Sequence, residues 1–416
     1  MARVKIIGEQ PLYGTVNISG AKNSALPILA ATVLLDGESI ISNVPQLTDI
    51  TTMVRMLRSI NVLAEQNGNK IRIVNKKPLK HLIPYELVTK MRASFFIAGP
   101  ILAKVGRVRV PMPGGCAIGS RPVDIHLQGF QDLGAEITLE HGFVELRCKK
   151  LKGNYVNFSF PSVGATENIM MAATLAEGTT TITNAAREPE IADLADMLNK
   201  AGAKVNGAGT SVITIEGVDA LQGVKHTIIP DRIEAGTMIL AGLITNGKIT
   251  VNSIKPQDIS ALLSALTDTG VKLNIKNTSV EVNSGESWSG INLITQPYPG
   301  FPTDMQAQMM TYLALANGTS TIRETIFENR FMHTGELQRM GADIRTEDRT
   351  AIIKGVKKLS GAKVKATDLR AGAALWLAGL AAQGETLIYD IEHIERGYEN
   401  LTEKLSSLGA NIKRLA

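Results

Sequence analysis

The chain of 416 residues is long enough for two or three domains with separate cores, and 44% hydrophobic with 20% charged residues is a globular composition. Aromatics are only 4%, and the net charge of +5 (44 basic against 39 acidic residues) forms no basic stripe, which argues against nucleic-acid binding. Two cysteines without CxxC spacing and six histidines without ligand pairing give neither a disulfide framework nor a zinc motif, so no metal and no cofactor are expected.

The first residues, MARVKIIGEQPLYG, contain no apolar run of signal-peptide length. The most apolar stretches, SFFIAGPILA at 94–103 and AGAALWLAGLAA at 371–382, are too short to span a bilayer as helices. No membrane insertion and a reducing, cytoplasmic setting are expected.

Along the chain one element recurs: an alanine-rich apolar run of helical spacing, a glycine, then a β-like alternation. It appears around Gly37, Gly106, Gly178, Gly247, Gly318 and Gly384, at spacings of 66 to 72 residues. After each copy comes a second helix closed by a turn residue and followed by a strand. Gly134, Gly202, Gly270, Gly341 and Gly409 close five of these helices, and Asn61 closes the first. Each unit of about 70 residues therefore reads strand, helix, strand, helix, strand or strand pair. Six units suit an α/β protein of two domains with three units each, dividing near residue 229.

The helix starts carry an unusual signature. Lys22, Arg92, Arg232, Asp304 and Arg370 stand 14 or 15 positions before their glycines, while the third copy has the uncharged SVGAT from Ser162. Cations there oppose the helix dipole unless an anion binds at the free N–H groups. Asp231 and Asp368 lie beside two of them, and Asp304 in FPTDMQ also reads as a helix cap. Three related starts gathered on one face of a domain would form an anion site.

Cys116 lies in PMPGGCAIGSRPVDIHL at 111–127, a glycine-rich loop in which Arg121 follows five residues later. A free thiol titrates near about 8.5, and cations lower that value toward working pH. Cys148, in FVELRCKK, alternates with Val144 and Leu146 and reads as core.

SGAKNSALP (19–27), MRASFF (91–96), PGGCAIGSRPVDIHLQGF (113–130), VGATENIMMAATLAEGTT (163–180), PDRIEAGT (230–237), FPTDMQAQ (301–308), ETIFENRFMH (324–333), ATDLRAGA (366–373) and HIERGYE (393–399) occur in this order. Together they resemble the UDP-N-acetylglucosamine enolpyruvyl transferases (1-carboxyvinyltransferases) of the EPSP synthase superfamily. The resemblance covers the whole chain. It implies two inside-out α/β barrel domains, 22–229 carrying the Cys116 loop (111–121) and 1–21 plus 230–416, closing on substrate between them. It implies a transfer of the enolpyruvyl group of phosphoenolpyruvate to the 3′-hydroxyl of UDP-N-acetylglucosamine, which opens bacterial peptidoglycan synthesis. By the same resemblance Cys116, Asp304 and Lys22 are catalytic, Cys116 as general acid and the target of fosfomycin, Asp304 as base. Lys22, Arg121, Arg330, Arg370 and Arg396 would bind phosphoenolpyruvate. Asn23, Arg92, Arg121, Pro122, Val123, Asp124, Asp304 and Phe327 would bind the nucleotide sugar. A monomer is expected. Phe160-Pro161 stands where some relatives carry a basic residue, and Glu188 receives no role. The alternative acceptor is 3-phosphoshikimate, but that family typically shows a DKS-type segment where this chain has GAKNSALP, and the cysteine loop has no counterpart there.

Overall fold

A computed structural model describes residues 2–76, 78–89, 91–112, 123–283 and 287–415. Cys116, Arg121 and Pro122 lie outside the described residues. The alanine-rich runs form helices with almost no polar face, and such helices must be buried on all sides. Lys22–Ala31 buries every residue from Ser24 onward, Arg232–Ile244 every residue from Ile233 and Leu369–Ala381 every residue from Arg370 to Leu380. Ala98–Val105, Val163–Ala173 and Gln306–Leu313 are the matching core helices of the other three repeats.

In three repeats the strand before the core helix pairs in parallel with the strand after it. Tyr155–Asn157 pairs with Thr179–Thr183, Asn292–Ile294 with Thr319–Arg323, and Lys363–Lys365 with Glu385–Tyr389. Parallel neighbours need a crossover, and the buried helix supplies it. A second, amphipathic helix follows, such as Thr48–Ser59 or Pro189–Lys200, and then an antiparallel strand or hairpin. The turn residues closing the second helices are left-handed: the five glycines take φ from 86° to 104°, and Asn61 takes 75°. One of the core-helix glycines differs. Asn246 (φ 51°) makes the reversal a residue early, and a Cβ on Gly247 would sit 2.3 Å from the Leu12 carbonyl oxygen.

The described residues form two compact units, 20–112 with 123–229, and 2–19 with 230–415. Each contains three sheets around three core helices and one continuous hydrophobic core. With helices inside and sheets outside, each unit is an inside-out α/β barrel. Closure uses distant segments. In the first unit Leu221–Gln222 and Lys225–Thr227 pair with Leu35–Ser42. In the second, Tyr13–Asn17 pairs with Lys248–Asn252, and Arg3–Ile7 lies between Glu385–Tyr389 and Asn411–Leu415. No described helix is long and apolar enough to cross a membrane.

Candidate active site

In the unit of residues 2–19 and 230–415, the helix starts of two repeats meet. Asp304 sits in the 3-10 turn Thr303–Met305 that leads into Gln306–Leu313, and that start has no side-chain cap. Its carboxylate instead accepts hydrogen bonds from two arginines. Arg330 Nη2 donates to Oδ1 and Arg370 Nη2 to Oδ2, both at 2.9 Å. The capping alternative for Asp304 is therefore not the one the chain adopts.

Both guanidiniums are buried, with side chains 3% and 5% exposed, whereas Asp304 is 28% exposed. Burial alone would lower the Arg370 guanidinium, but Asp304, Tyr398 and Asp231 more than offset it and leave it raised. Arg370 Nη1 also donates to the Tyr398 hydroxyl at 3.3 Å, and Gln308 Nε2 donates to that oxygen at 3.2 Å. Burial pushes the Tyr398 phenol up, so it stays neutral beside the arginine that pulls the other way.

The cations at these helix starts come with their own compensation. Asp368 caps Leu369–Ala381 by accepting from the Arg370 and Ala371 amides, at 2.8 and 3.1 Å. Asp231 caps Arg232–Ile244 in the same way, from Ile233 and Glu234 at 2.8 and 3.0 Å. Arg232 and Arg370 thus stand beside favoured caps, and their clash with the dipole is smaller than the sequence suggests. The Arg232 guanidinium lies over the Tyr298 ring.

Arg330 lies over Phe327, 5.4 Å from the ring centroid, which brings another expected site residue to the same cluster. Glu324, 1% exposed, organises this part. It accepts from Thr303 Oγ1 and Thr295 Oγ1 at 2.9 Å each, and from the Ile326 and Phe327 amides at 2.8 and 3.2 Å. One carboxylate therefore fixes both the turn of Asp304 and the segment of Phe327. His333 is buried beside Arg330 and is pushed down to about 4, by burial first, with Asp368 opposing and Arg330 reinforcing. Arg396 ends the 3-10 helix Ile391–Arg396, half-buried.

In the unit of residues 20–112 and 123–229, Lys22 opens the helix Lys22–Ala31 and its Nζ is 3.5 Å from Asp49 Oδ2. Asp49 is 4% exposed and comes from the first turn of Thr48–Ser59. Beside the half-buried Asn23, Ser24 Oγ donates to Asp193, which also accepts from His226 Nε2 at 3.0 Å and the Ile229 amide at 3.2 Å. That network fixes the first turn carrying Lys22 and Asn23. Arg92 opens the 3-10 helix Arg92–Ile97; buried Val123 precedes Asp124, which opens Asp124–Asp132 and is exposed. Phe160 is 40% exposed, and two residues later Ser162 Oγ caps Val163–Ala173 by accepting from the Ala165 amide at 3.3 Å. The copy that lacks a charged start is the one with a hydroxyl cap. Cys148 follows the strand Phe143–Arg147, packs partly against the core, and burial raises its thiol.

Glu167 carries no expected role, yet it is 0% exposed and neither carboxyl oxygen has a hydrogen-bond partner among the described residues. Burial, then the charges of Glu190 and Glu188, push its carboxyl well above the usual range. A raised folded-state value means that its contribution to stability is complete below the unfolded pKa and is lost as pH rises toward the folded one. Glu167→Gln should therefore be more stable than the native chain at pH 8, by roughly 1–3 kcal/mol, with the gain vanishing near about pH 4. Urea unfolding at several pH values checks this; equal stabilities at pH 8 would contradict it.

Residues 6–405 match the family model described as EPSP synthase (3-phosphoshikimate 1-carboxyvinyltransferase). UDP-N-acetylglucosamine 1-carboxyvinyltransferase 1 of Caldanaerobacter subterraneus subsp. tengcongensis is 55% identical over 405 residues, covering 97% of each chain. UDP-N-acetylglucosamine 1-carboxyvinyltransferase 2 of Carboxydothermus hydrogenoformans is 52% identical over 418 residues and the whole of both chains. Among solved structures, the enolpyruvyl transferase NikO from Streptomyces tendae superposes with a TM-score of 0.90 at 24% identity, over 99% of this chain and 98% of that one. EPSP synthase from Acinetobacter baumannii superposes with a TM-score of 0.78 at 17% identity over the full length of both, a likeness of fold alone.

Proposed function

Since the chain belongs to the UDP-N-acetylglucosamine 1-carboxyvinyltransferases within the EPSP synthase family, we propose that it moves the enolpyruvyl group of phosphoenolpyruvate to the 3′-hydroxyl of UDP-N-acetylglucosamine and releases phosphate. This is the first committed step of peptidoglycan synthesis. The observation that carries the site assignment is the pair of buried guanidiniums, Arg330 and Arg370, converging on Asp304.

The donor is a compact anion with a carboxylate and a phosphate, and guanidinium forks match both. Arg330 and Arg370 are locked by packing, so little is lost in ordering them when an anion arrives. Lys22, Arg121 and Arg396 take the phosphate. Lys22 does so beside Asp49, which orients its ammonium. Asn23, Arg92, Pro122, Val123, Asp124 and Phe327 serve the nucleotide sugar.

Addition forms a bond from the acceptor oxygen to C2 of the enol phosphate while the methylene carbon gains a proton. Asp304 takes the hydroxyl proton, and Cys116 delivers the other one. Elimination then removes a proton from the new methyl group and breaks the C–O bond to phosphate, which restores the double bond. The enzyme acts in the cytoplasm as a monomer.

The test is phosphate release from phosphoenolpyruvate with each acceptor in turn. Release with UDP-N-acetylglucosamine and none with 3-phosphoshikimate is expected. Release only with 3-phosphoshikimate would reverse the acceptor assignment.

A further inference from the structure

The two buried guanidiniums already hold an anion, and it belongs to the protein. Arg330 and Arg370 each place an Nη2 2.9 Å from a different oxygen of Asp304, so neither carboxylate oxygen lacks a cation. The exposures run in one direction: Asp304 is 28% exposed, and the guanidiniums behind it are 3% and 5% exposed. An anion arriving from solvent meets the carboxylate before it meets either arginine. Arg330 also keeps a buried Nε with no acceptor among the described residues, so the protein does not saturate its donors. A carboxylate with a guanidinium on each oxygen is also a poor proton acceptor, because the two cations favour its ionised form.

We propose that Asp304 is an internal stand-in for the substrate anion, clamped by Arg330 and Arg370 at rest and released as a base when phosphoenolpyruvate takes those guanidiniums. The inference rests on Asp304 being the base of the proposed reaction. It adds a coupling: the donor substrate switches on the group that deprotonates the acceptor. Hydroxyl activation before the donor is bound would be wasted, and the clamp suppresses it. On release, the acceptor proton passes to the Asp304 carboxylate and its oxygen pair goes to C2 of the donor. The helix cap at Asp368 and the hydroxyl of Tyr398 hold Arg370 in place through the exchange.

Competition within one site has a reciprocal signature: removing the internal anion tightens binding of the external one. Phosphoenolpyruvate, without acceptor, is titrated calorimetrically into the full chain carrying Cys116→Ala, which prevents any covalent adduct. Adding Asp304→Asn should tighten binding by about tenfold. Asp304→Ala serves as a second variant, read in the same way. Asp231→Asn is the control. Asp231 also acts electrostatically on Arg370 but does not touch its guanidinium, and asparagine preserves the cap. Its affinity should gain far less, because Asp231 accepts from the Ile233 and Glu234 amides and occupies none of the guanidinium donors that phosphoenolpyruvate would take. Affinity unchanged or weakened in both Asp304 variants, or an equal gain in Asp231→Asn, overturns the stand-in. Turnover of Asp304→Asn with Cys116 intact separates the two readings. Lost turnover without tighter binding leaves the base in place and removes the clamp, while retained turnover removes the base.

Discussion

Replacing Arg370 by alanine should lower kcat/KM for phosphoenolpyruvate by roughly 10²–10³-fold, the cost of one preorganised donor in a buried site. Arg370 joins three things at once. Its backbone amide is held by the Asp368 cap, one guanidinium nitrogen reaches Asp304 at 2.9 Å, and another reaches the Tyr398 hydroxyl at 3.3 Å. Lysine cannot reproduce that fork, so Arg370→Lys should recover little. Tyr398→Phe removes the hydroxyl that Arg370 Nη1, Gln308 Nε2 and Thr237 share but leaves the contact of Arg370 with Asp304, and it should cost far less, about three- to tenfold. Initial rates of phosphate release across donor concentrations, with thermal unfolding in parallel, measure both effects. A kcat/KM for Arg370→Ala within threefold of the native value, in a folded protein, would contradict the anion-site assignment.

Cys116→Ser should reduce turnover by about 10²–10⁴-fold, the usual contribution of a positioned proton donor, because a serine hydroxyl does not ionise near neutral pH. Cys116→Asp should keep part of the activity, since a carboxyl can deliver a proton, and should resist fosfomycin. The chain's two cysteines make the labelling experiment clear-cut. The Cys148 thiol is half-buried and raised by burial, which leaves little of the nucleophilic thiolate. Fosfomycin treatment should therefore add one inhibitor mass, on the Cys116 peptide, as activity disappears. Full activity in Cys116→Ser, or inhibition with the mass on Cys148, would remove the acid role.

The repeat architecture was legible because its signals are local. A helix apolar on all sides has to be buried, and a glycine at a helix end marks a left-handed residue, so both can be read within about fifteen positions. Asn61 was readable for the same reason, and its φ of 75° fits the glycines it replaces. The charged helix starts were legible as an anomaly, but their resolution was not. That Asp231 and Asp368 cap the helices while Asp304 pairs with arginines depends on 3-10 geometry and on partners 26 and 66 positions away. Asp49, Glu324 and Tyr398 were missed for a related reason. Each acts by supporting another side chain, and nothing in its own neighbourhood distinguishes it from an ordinary polar residue. A different signal did exist for Glu167: eleven positions before its glycine, where the other copies have Leu26, Phe95, Gly236, Ala307 and Ala373, this copy carries a carboxylate.

The strand Arg3–Ile7, enclosed by Glu385–Tyr389 and Asn411–Leu415, gives the protein an order of birth. The ion pair Lys5–Glu385 joins residues 380 positions apart. At a ribosome's pace of ~5–20 residues per second, the first strand waits roughly 20–80 s for its neighbours. The unit of residues 20–229 has all of its own strands long before then and can fold while still tethered. The other unit can only be completed once Glu385–Tyr389 and Asn411–Leu415 have been made, when its last sheet receives Arg3–Ile7. A nonsense codon or proteolytic cut that removes the stretch from Glu385 onward therefore strips Arg3–Ile7 of both partner strands, and damage there is felt some 380 positions earlier in the chain.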